Sequence, residues 1–570
     1  MTATVVRAPG ILYAGFMRDL FDWLLALVNG VNAAVFSAPV LIALLAVGAL
    51  FTLWTRAGQL KALTHGVALI TGRYDTGKGS GAISHFQAVS AALSATVGLG
   101  NIAGVALALE FGGPGAIFWM WVVGLAGMAI KMVEVTLTML YRNTDDPDNP
   151  HGGAMWVARR GLPTLSARLT RPGAWIGGLF CVALITNALA ANAVFQSWSV
   201  ADTTRSYFGV PPLVTGGILA VVVGLVTLGG VKRIGAVAGW LVPGMAVLYV
   251  TAGLVVLALQ ADTLPGVLAS IFRGAFSHTE GTGAFLGGGM AMAFIWGLKR
   301  ALFSSEAGLG TAPIAHAAVK TSEPVSEGIV AGLEPLVDTL VVCTITALVI
   351  LSTGIWQRDA SLQLDPAPGW ESTGSGAWTL ADSAAPMDDQ QTLNTGDRVF
   401  VIVNADAGER QRVFGEVRAN DDRPVIDWQS VTADSSPELV DAGLYRDYTG
   451  ATLTARAFDT AVPGLGQWLI TLAIWLFAVS TMITWSYYGE QGVVYLAGDN
   501  WVAPYRLGFC AMVWLACAGW VDGARELDAV GVFGVALMLC INLPLTLLLA
   551  PRAIAAYRDY LARLRAGALR

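Results

Sequence analysis

The chain has 570 residues, of which 55% are hydrophobic and only 13% are charged, whereas soluble domains carry about 25% charged residues. Its formal net charge is −6, so it has no excess of basic residues of the kind that binds nucleic acid. These figures exclude a soluble globular protein and indicate an integral membrane protein.

The N-terminal segment, residues 1–36, is predicted to contain an interfacial helix near residues 13–29. Arg18, Asp19 and Asp22 interrupt its apolar run, which argues against a cleaved signal peptide.

Eleven apolar segments follow, each close to the roughly 20 residues that a membrane-spanning helix needs. They divide into a first membrane part, 37–353, and a second, 464–551, before a basic tail, 552–570. The predicted spans lie near 37–56, 84–110, 115–141, 172–195, 212–228, 237–260, 283–302, 327–353, 464–488, 506–521 and 528–550.

Lys and Arg are concentrated in every second loop, and such loops face the cytoplasm. The pattern predicts a multi-pass protein of the plasma (inner) membrane with its N-terminus outside and its C-terminus in the cytoplasm. The basic residues follow spans one (Arg56, Lys61, Arg73, Lys78), three (Arg142, Arg159, Arg160, Arg168, Arg171), five (Lys232, Arg233), seven (Lys299, Arg300, Lys320) and eleven (Arg552, Arg558, Arg563, Arg565, Arg570).

The second apolar segment is interrupted in its middle by Gly98-Leu99-Gly100-Asn101. Unwound backbone inside a membrane is tolerated only where protein or a water-filled cavity satisfies its polar groups. This break is therefore a candidate binding site.

The seventh segment carries Gly287-Gly288-Gly289 between Phe285 and Met290, and we expect a second break there. With the first span set aside as an extra helix, the other ten form two sets of five, and the broken helices open each set. Interrupted helices at matching positions mark the site of a secondary transporter built from inverted repeats.

Residues 354–463 form an acidic extracellular insertion, with eighteen Asp and Glu against eight Arg and no Lys. Strands are predicted at 398–403, 412–417 and 425–428, the first two as a hairpin. We expect a small β-containing domain that folds separately from the membrane part. A ligand-sensing role is the alternative to a plain solvated insertion.

Ionisable residues inside a membrane are functional candidates because their burial is costly. Lys131 and Glu134 are three residues apart on one predicted helix, so they could form a structural pair or extend to the membrane interface, or Glu134 could act in ion coupling. Glu306 is expected at the inner end of the seventh segment as a gate residue or a helix cap. Asp338 is expected either to face the core or to belong to a gate.

No enzymatic site is evident. Residues 72–79 are similar to a phosphate-binding loop, but Gly79 stands where magnesium binding requires Ser or Thr, and no strand precedes the loop. The five histidines lack metal-ligand spacing, and the five cysteines lie in or beside predicted spans. We predict no enzyme activity, no cofactor and no structural metal.

Several motifs together resemble the alanine or glycine:cation symporter family, over the whole membrane part but not over most of 360–450. The matching stretches are 86–88, 98–105, 112–121, 302–310, Asp338-Thr339, Cys343-Thr344, Ser480-Thr481 and 485–490.

The resemblance implies an all-α leucine-transporter-like fold, with two five-helix inverted repeats and an extra N-terminal helix. It also implies sodium-coupled symport of small neutral amino acids, with sodium as the coupling ion. By carry-over, one sodium site comprises the carbonyls of Ser94 and Val97 with the hydroxyls of Ser480 and Thr481, and Asn101 is a further ligand or a strut. The expected substrate-binding residues are Gly98, Leu99, Gly100, Asn101, Ala190, Phe285, Gly287, Gly288, Gly289 and Met290.

Two positions depart from the family pattern. Leu99 replaces the usual Ser or Thr, and Ala190 replaces the usual Gln. Both changes remove hydrogen-bonding capacity from the expected pocket, which leaves the preferred amino acid open. Two other functions remain possible: a proton-coupled transporter using Glu134 or Glu306, and a transporter-derived amino-acid receptor.

Overall fold

The computed structural model describes residues 23–74, 79–374, 376–381, 383–384, 393, 395–405, 410–419, 424–448, 450–519 and 524–569. The interfacial helix predicted near residues 13–29 lies mostly outside these residues. Its described part begins a helix at Trp23–Val35.

All eleven predicted spans fall on helices, most of them with extended or shifted ends. The helices are α1 Trp23–Val35, α2 Ala38–Trp54, α3 Gly58–Lys61, α4 Val67–Ile70, α5 His85–Thr96, α6 Leu99–Gly112, α7 Gly115–Tyr141, α8 Ala154–Trp156, α9 Thr170–Asn187, α10 Gln196–Phe208, α11 Pro212–Thr227, α12 Gly230–Leu259, α13 Leu264–Phe276, α14 Met290–Ser305, α15 Ala312–His316, α16 Pro324–Ala331, α17 Thr344–Ser352, α18 Ala451–Ala461, α19 Leu465–Ala497, α20 Val502–Leu515 and α21 Ala524–Arg565. Turns of π-helix at Ala62–Gly66, Val157–Gly161, Ala188–Phe195 and Leu336–Cys343 extend some of them.

Among the residues that the structure describes, six continuous helices are long and apolar enough to cross a membrane, and two bent helix pairs bring the number to eight. One of these pairs is α5 with α6. The other three predicted spans correspond to α11, α14 and α20, which have 16, 16 and 14 residues.

Helices α7 and α19 form the centre of the bundle. In the most apolar window of α19, 78% of the residues are buried, compared with 33% in α12. Exposed apolar side chains such as Trp240 and Leu254 on α12 therefore face the lipid of a membrane protein.

The loops predicted to be cytoplasmic meet at one end of the bundle, which we call the basic face. Arg142, just after α7, donates to the carbonyls of Ser80, Ala317, Val319 and Thr321 over 2.7–3.0 Å. Near the end of α21, Arg563 of the basic tail forms an ion pair with Glu323, the residue before α16, at 2.7 Å. This face thus joins loops that are far apart in the chain.

The insertion carries two antiparallel sheets at the opposite end, which we call the insertion face. The predicted hairpin and third strand are confirmed: β5 pairs with β6 in the register Val401–Val413, and β6 pairs with β7. The strands are β1 Leu362–Gln363, β2 Trp370–Gly374, β3 Ala377–Leu380, β4 Ser383–Ala384, β5 Arg398–Asn404, β6 Arg410–Arg418, β7 Val425–Trp428, β8 Val431–Thr432, β9 Glu438–Leu439 and β10 Gly443–Arg446. One sheet has the order β1-β10-β5-β6-β7-β4, with β9 also on β5, and the other is β2-β3-β8.

Strand β5 is buried on both sides, although alternate residues of a strand point to opposite faces of its sheet. Val399, Val401 and Val403 belong to the domain's own apolar core. Phe400 and Ile402 instead pack with Ala284, in the loop before α14. The insertion therefore has its own core but is also docked on the membrane part.

A buried ion pair reinforces this docking. Arg412 on β6 contacts the carboxylate of Glu110 near the end of α6, with side chains only 7% and 8% exposed, and also donates to the carbonyl of Ala284 at 2.6 Å. Burial lowers the pKa of Arg412 to about 10, which still leaves it charged at neutral pH. Within the range predicted as insertion, α18 packs against α6, and Thr454 donates to the carbonyl of Ile102 at 3.1 Å.

We expect Arg412→Ala to loosen the docking of the insertion strongly. Removing Arg412 leaves the buried charge of Glu110 without a partner, which costs about 3–5 kcal/mol. The matched control is Arg418→Ala on the same strand. Arg418 forms an ion pair with Asp427, and the two side chains are 63% and 44% exposed. Loss of this exposed pair is expected to cost about 0–1 kcal/mol.

The measurement is the temperature at which a protease begins to cut the insertion in detergent-solubilised protein. A large decrease for Arg412→Ala and little change for Arg418→Ala are expected. Equal shifts in the two variants would show that the buried contact does not hold the domain.

Candidate functional site

The first break lies where the sequence predicts it. Helix α5 begins at a capping box in which Ser84 accepts from the backbone N–H of Gln87 and the Gln87 side chain accepts from that of Ser84. It ends at Thr96, Val97 and Gly98 are extended, and α6 starts at Leu99 after a bend of 44°. A helix interrupted in the bundle core leaves backbone groups available for a ligand.

Three predicted sodium ligands meet beside this break. The Thr481 hydroxyl is 3.1 Å from the Ser94 carbonyl oxygen, and the Ser480 hydroxyl is 3.4 Å from it. The Ser94 hydroxyl donates to the Ser480 carbonyl at 2.7 Å. All three residues are buried, so α5 and α19 bring a group of hard oxygen atoms together away from solvent.

Asn101 connects the first break to its neighbours. Its side-chain oxygen accepts from the N–H of Gly98 at 3.0 Å, and its amide nitrogen lies 3.3 Å from the Ser304 hydroxyl and 3.1 Å from the Asp338 carbonyl. These contacts fit the strut role, because both ends of the amide are engaged by protein.

Arg300 on α14 lies flat against the glycines of α6. It donates to the Gly100 carbonyl at 2.8 Å, and its guanidinium carbon is 1.6 Å from where a Cβ on Gly104 would stand. A side chain at position 104 would therefore displace the arginine, and the Gly100 carbonyl is occupied.

The predicted second break is wrong in position. Gly287, Gly288 and Gly289 precede the first residue of α14, Met290, in an irregular segment where Gly288 forms a bridge with Thr279. They lie beside the end of α6, because Gly288 approaches the Phe111 carbonyl. At 1.5 Å per residue, the 14 residues of α6 place that end about 20 Å from the first break.

Phe285 and Met290 share this location on the insertion side. The Phe285 ring is buried against Trp356 with centroids 4.9 Å apart and closes over Gly113, whereas Met290 is 53% exposed. Neither residue is at the depth of the first break.

The seventh span is interrupted instead at residues 306–311, between α14 and α15. Glu306, Gly308 and Gly310 all have positive φ, at 50°, 88° and 81°, and glycine adopts such angles without the cost that a Cβ imposes. Both breaks contain the tripeptide Gly-Leu-Gly, at 98–100 and at 308–310. That match was a readable signal of the second break.

Glu134 on α7 pairs with the free backbone N–H groups of the second break. Its carboxylate accepts from the backbone N–H of Gly310 at 2.8 Å and of Gly308 at 3.3 Å, and it contacts the Asn542 side-chain amide. Lys131, the suggested partner of Glu134, donates to Glu334 on a neighbouring helix at 2.9 Å and interacts with Glu134 only electrostatically.

The two other gating candidates are both buried in the core. Glu306 is at the break rather than at the inner end of its segment, and it accepts from the Thr311 hydroxyl at 2.6 Å. Asp338 faces the core: one carboxylate oxygen accepts from Thr339, and the other has no partner among the described residues. An unpaired buried carboxylate oxygen is a place where a cation or a proton would be stabilised.

Leu99 is buried as the first residue of α6, whereas Ala190 is half-buried in the π-helical stretch Ala188–Phe195, which packs on α19 and α21. Nearby Asn187 donates to the Gly531 carbonyl at 2.7 Å. These contacts fix the orientation of the π-helical stretch against α19 and α21.

The sequence analysis missed three ionisable residues of the core, namely Glu327, Glu334 and His316. Glu327, Glu334 and Asp338 are spaced by seven and four residues, which puts them on one face of a helix. Three acidic residues on one face of an apolar span were a signal that could have been used.

The arrangement can bind a small zwitterion and a cation. Free N–H groups at the start of α6 favour a carboxylate, since the helix dipole is positive there. Oxygen atoms at the end of α5 favour a hard cation. No group of His, Cys, Asp and Glu residues within the described ranges could hold a metal ion of the transition type.

Comparisons with known proteins identify the family of this chain. The sequence model of the Sodium:alanine symporter family matches residues 21–367 and 438–570, so most of the insertion falls between the matched parts. The sodium/alanine symporter AgcS of Methanococcus maripaludis is 36% identical over 85% of this chain and 86% of its own length.

A putative sodium/proton-dependent alanine carrier, YrbD of Bacillus subtilis, is 31% identical over 94% of this chain and 92% of its own length. Among solved structures, MhsT in complex with L-phenylalanine is similar with a TM-score of 0.45 and 12% identity, over 82% of this chain and 89% of that chain. The family match, together with AgcS and YrbD, shows that the chain belongs to the Sodium:alanine symporter family and is a membrane transport protein, not an enzyme.

Proposed function

We propose that this protein is a sodium-coupled symporter that carries small neutral amino acids of the alanine and glycine class across the plasma membrane by alternating access. The observation that supports it most is the oxygen cluster of Ser94, Ser480 and Thr481 beside the first break. AgcS and YrbD, which match along most of the chain, are named for sodium and alanine.

Two five-helix inverted repeats form the proposed transport unit, with α2 as the extra helix. The break in α5–α6 and the break at 306–311 occupy the first span of each repeat. The amino-acid carboxylate would bind at the N–H groups of Leu99 and Gly100, since the N–H of Gly98 is taken by Asn101. Sodium would bind between the Ser94 and Val97 carbonyls and the two α19 hydroxyls. We place the basic face in the cytoplasm, which follows from the charge of its loops.

The hydroxyls of Ser480 and Thr481 suit this role because they can rotate. In the structure the Thr481 hydroxyl donates to the Ser94 carbonyl at 3.1 Å. The Ser480 hydroxyl lies 3.4 Å from the same carbonyl and 2.9 Å from the Phe477 carbonyl of its own helix. A cation between the same oxygens would replace these hydrogen bonds, since a hydroxyl offers lone pairs once its hydrogen turns away. Binding would then hold α5 against α19 through the ion.

Ser480→Ala and Thr481→Ala are expected to weaken the apparent sodium affinity of alanine uptake by roughly tenfold each. One lost contact to a charged group costs about 1.5 kcal/mol, and about 1.4 kcal/mol is a factor of ten. The measurement is radiolabelled alanine uptake in proteoliposomes as a function of sodium concentration.

Thr471→Ala is the matched control. This threonine is also buried on α19, but it lies nine residues before Ser480, and its hydroxyl donates to the Gln467 carbonyl of its own helix. Its sodium dependence should stay at the wild-type value. If the Ser480 and Thr481 double variant kept that value too, the site assignment would be incorrect.

Coupling between the two ligands separates a symporter from a receptor that binds but does not transport. Sodium should tighten alanine binding by a free energy of about 1–3 kcal/mol, and alanine should tighten sodium binding equally. A receptor could show the same linkage, but it would not accumulate alanine inside vesicles against a gradient. Proton coupling through Glu134 or Glu306 is the alternative mechanism within transport.

We expect the pocket to accept aliphatic side chains larger than that of alanine. Leu99 and Ala190 present no polar group, and a buried polar group left unpaired costs roughly 1–3 kcal/mol. Restoring the polar residue with Ala190→Gln should therefore weaken competition by valine and leucine relative to glycine and alanine.

The measurement is inhibition of radiolabelled alanine uptake by each of the four amino acids. Ala191→Gln is the neighbouring control, because Ala191 contacts Gly531 on α21. An unchanged ranking in Ala190→Gln would show that position 190 does not line the substrate pocket.

A further inference from the structure

A cavity of about 530 Å³ lies on the insertion face beside α13, and the proposed transport mechanism uses none of it. Helix α13 forms one wall. Pro114 at the start of α7, Glu280 in the loop before α14 and Trp356 just after α17 belong to the other walls. A cavity enclosed by four parts of the chain is a candidate binding site.

Helix α13 is fixed to the start of α7. The ring N–H of Trp119 donates to the Ala275 carbonyl at 3.3 Å, and a Cβ on Gly115 would lie 2.2 Å from the backbone carbon of Gly274. The two backbones are therefore in direct contact. Because α7 ends beside Arg142 of the basic face, α13 lies at the opposite end of the bundle.

One side of α13 is apolar and exposed. Leu268, Phe272 and Phe276 are four residues apart, so they form a row along the helix, and all three are exposed. The Phe276 ring contacts Phe118 and Trp119 on α7, with centroids 5.0 and 5.9 Å apart. Trp side chains are enriched at the level of lipid headgroups, where amphipathic helices lie along the membrane surface. This row therefore places α13 at the boundary between lipid and water.

The other side of α13 is polar and lines the cavity. Thr263, Ser270 and Ser277 are spaced by seven residues, about two helical turns, so they follow one another along that side. Arg273 lies at the border between the two sides. It is flanked by Phe276 of the apolar row, three residues on, and by Ser277 of the polar row, four residues on.

The cavity offers one cation, one anion and several acceptors. Arg273 and Glu280 are exposed, and neither side chain has an ion-pair or hydrogen-bond partner among the described residues. The hydroxyls of Ser270 and Ser277 donate to carbonyls of α13 at 2.7 and 2.6 Å, so they offer a ligand their lone pairs. The complementary ligand carries a negative group and a positive group with N–H donors.

We propose that this cavity binds the headgroup of one phosphoethanolamine lipid, with the phosphate on Arg273 and the ammonium group toward Glu280 and the serine oxygens. An arginine can hold a phosphate through two parallel N–H donors. The acyl chains would lie along the exposed apolar row next to Arg273, which a free zwitterion would leave uncovered. A choline headgroup is less suitable, because its nitrogen carries methyl groups instead of N–H donors.

The cavity adjoins both interrupted spans at the insertion face. Pro114 follows the turn that ends α6, and Trp356 packs on Phe285 in the loop before α14 with centroids 4.9 Å apart. A headgroup in the cavity would contact these connections and hold them together. This inference goes beyond the proposed transport function and does not depend on the coupling ion or the substrate.

The test uses the full-length protein, freed of lipid in detergent and mixed with phosphatidylethanolamine, phosphatidylcholine or phosphatidylglycerol of identical acyl chains. Native mass spectrometry counts the lipids that stay bound. We expect the wild type to retain one phosphatidylethanolamine more tightly than either other lipid. Arg273→Ala should weaken this retention by about tenfold, the effect of losing one charge-assisted contact.

Glu280→Ala should change the preference among lipids. Its carboxylate attracts an ammonium group and repels a lipid with a net negative charge, so the variant should retain phosphatidylethanolamine less and phosphatidylglycerol more. Both variants should fold, because neither side chain has a protein partner to lose.

Arg205→Ala is the matched control. Arg205 is also an exposed arginine in the last turn of its helix, α10, but it does not line the cavity. It lies at the same end of the bundle, since the neighbouring Phe208 contacts Trp468 near the start of α19. Its lipid retention should equal that of the wild type.

Three outcomes would overturn the proposal. Equal retention of the three lipids by the wild type would show that the headgroup is not recognised. Equal retention of phosphatidylethanolamine by Arg273→Ala and the wild type would show that the lipid binds elsewhere. Displacement of the lipid by an equal concentration of glycerophosphoethanolamine, which lacks acyl chains, would show that the cavity binds a soluble zwitterion. None of these results bears on sodium-coupled uptake, which is measured separately.

Discussion

The structure depends on the rule that no backbone N–H or C=O can stay unpaired inside a membrane. Two helices are interrupted in the bundle core, and at each interruption a side chain accepts hydrogen bonds from the freed backbone N–H groups. Asn101 accepts from the N–H of Gly98 within its own segment. Glu134 reaches from α7 to the N–H groups of Gly308 and Gly310. Helix α7 must therefore lie beside the second break.

This dependence explains which part of the site could be read from the sequence. The first break was predictable because its glycines interrupt an apolar segment and Asn101 is local. The second break has its partner, Glu134, more than 170 residues away in the chain. The glycine run at 287–289 looked like a stronger interruption, but glycines before a helix serve an extended connection equally well. Only the shared Gly-Leu-Gly tripeptide pointed to residues 308–310.

Elements with a local pattern were predicted well, and contacts between distant elements were not. Hydropathy located helices at all eleven segments, and β-branched runs located β5, β6 and β7. The docking of the insertion depends on Arg412 meeting Glu110, 302 positions earlier, which no local pattern encodes. The acidic face of Glu327 and Glu334 was readable by its spacing, whereas its bonds to His85 and His316 required the fold.

The docked insertion also shapes the ionic atmosphere at one entrance of the protein. Its segment carries ten more negative than positive charges, and its contacts with Glu110 and Ala284 hold it over the ends of both interrupted helices. A negative surface raises the local concentration of cations and repels anions. This enrichment decays over about 8 Å at physiological ionic strength. Titrations of the proposed sodium site therefore report its own affinity only when a second salt keeps the ionic strength constant.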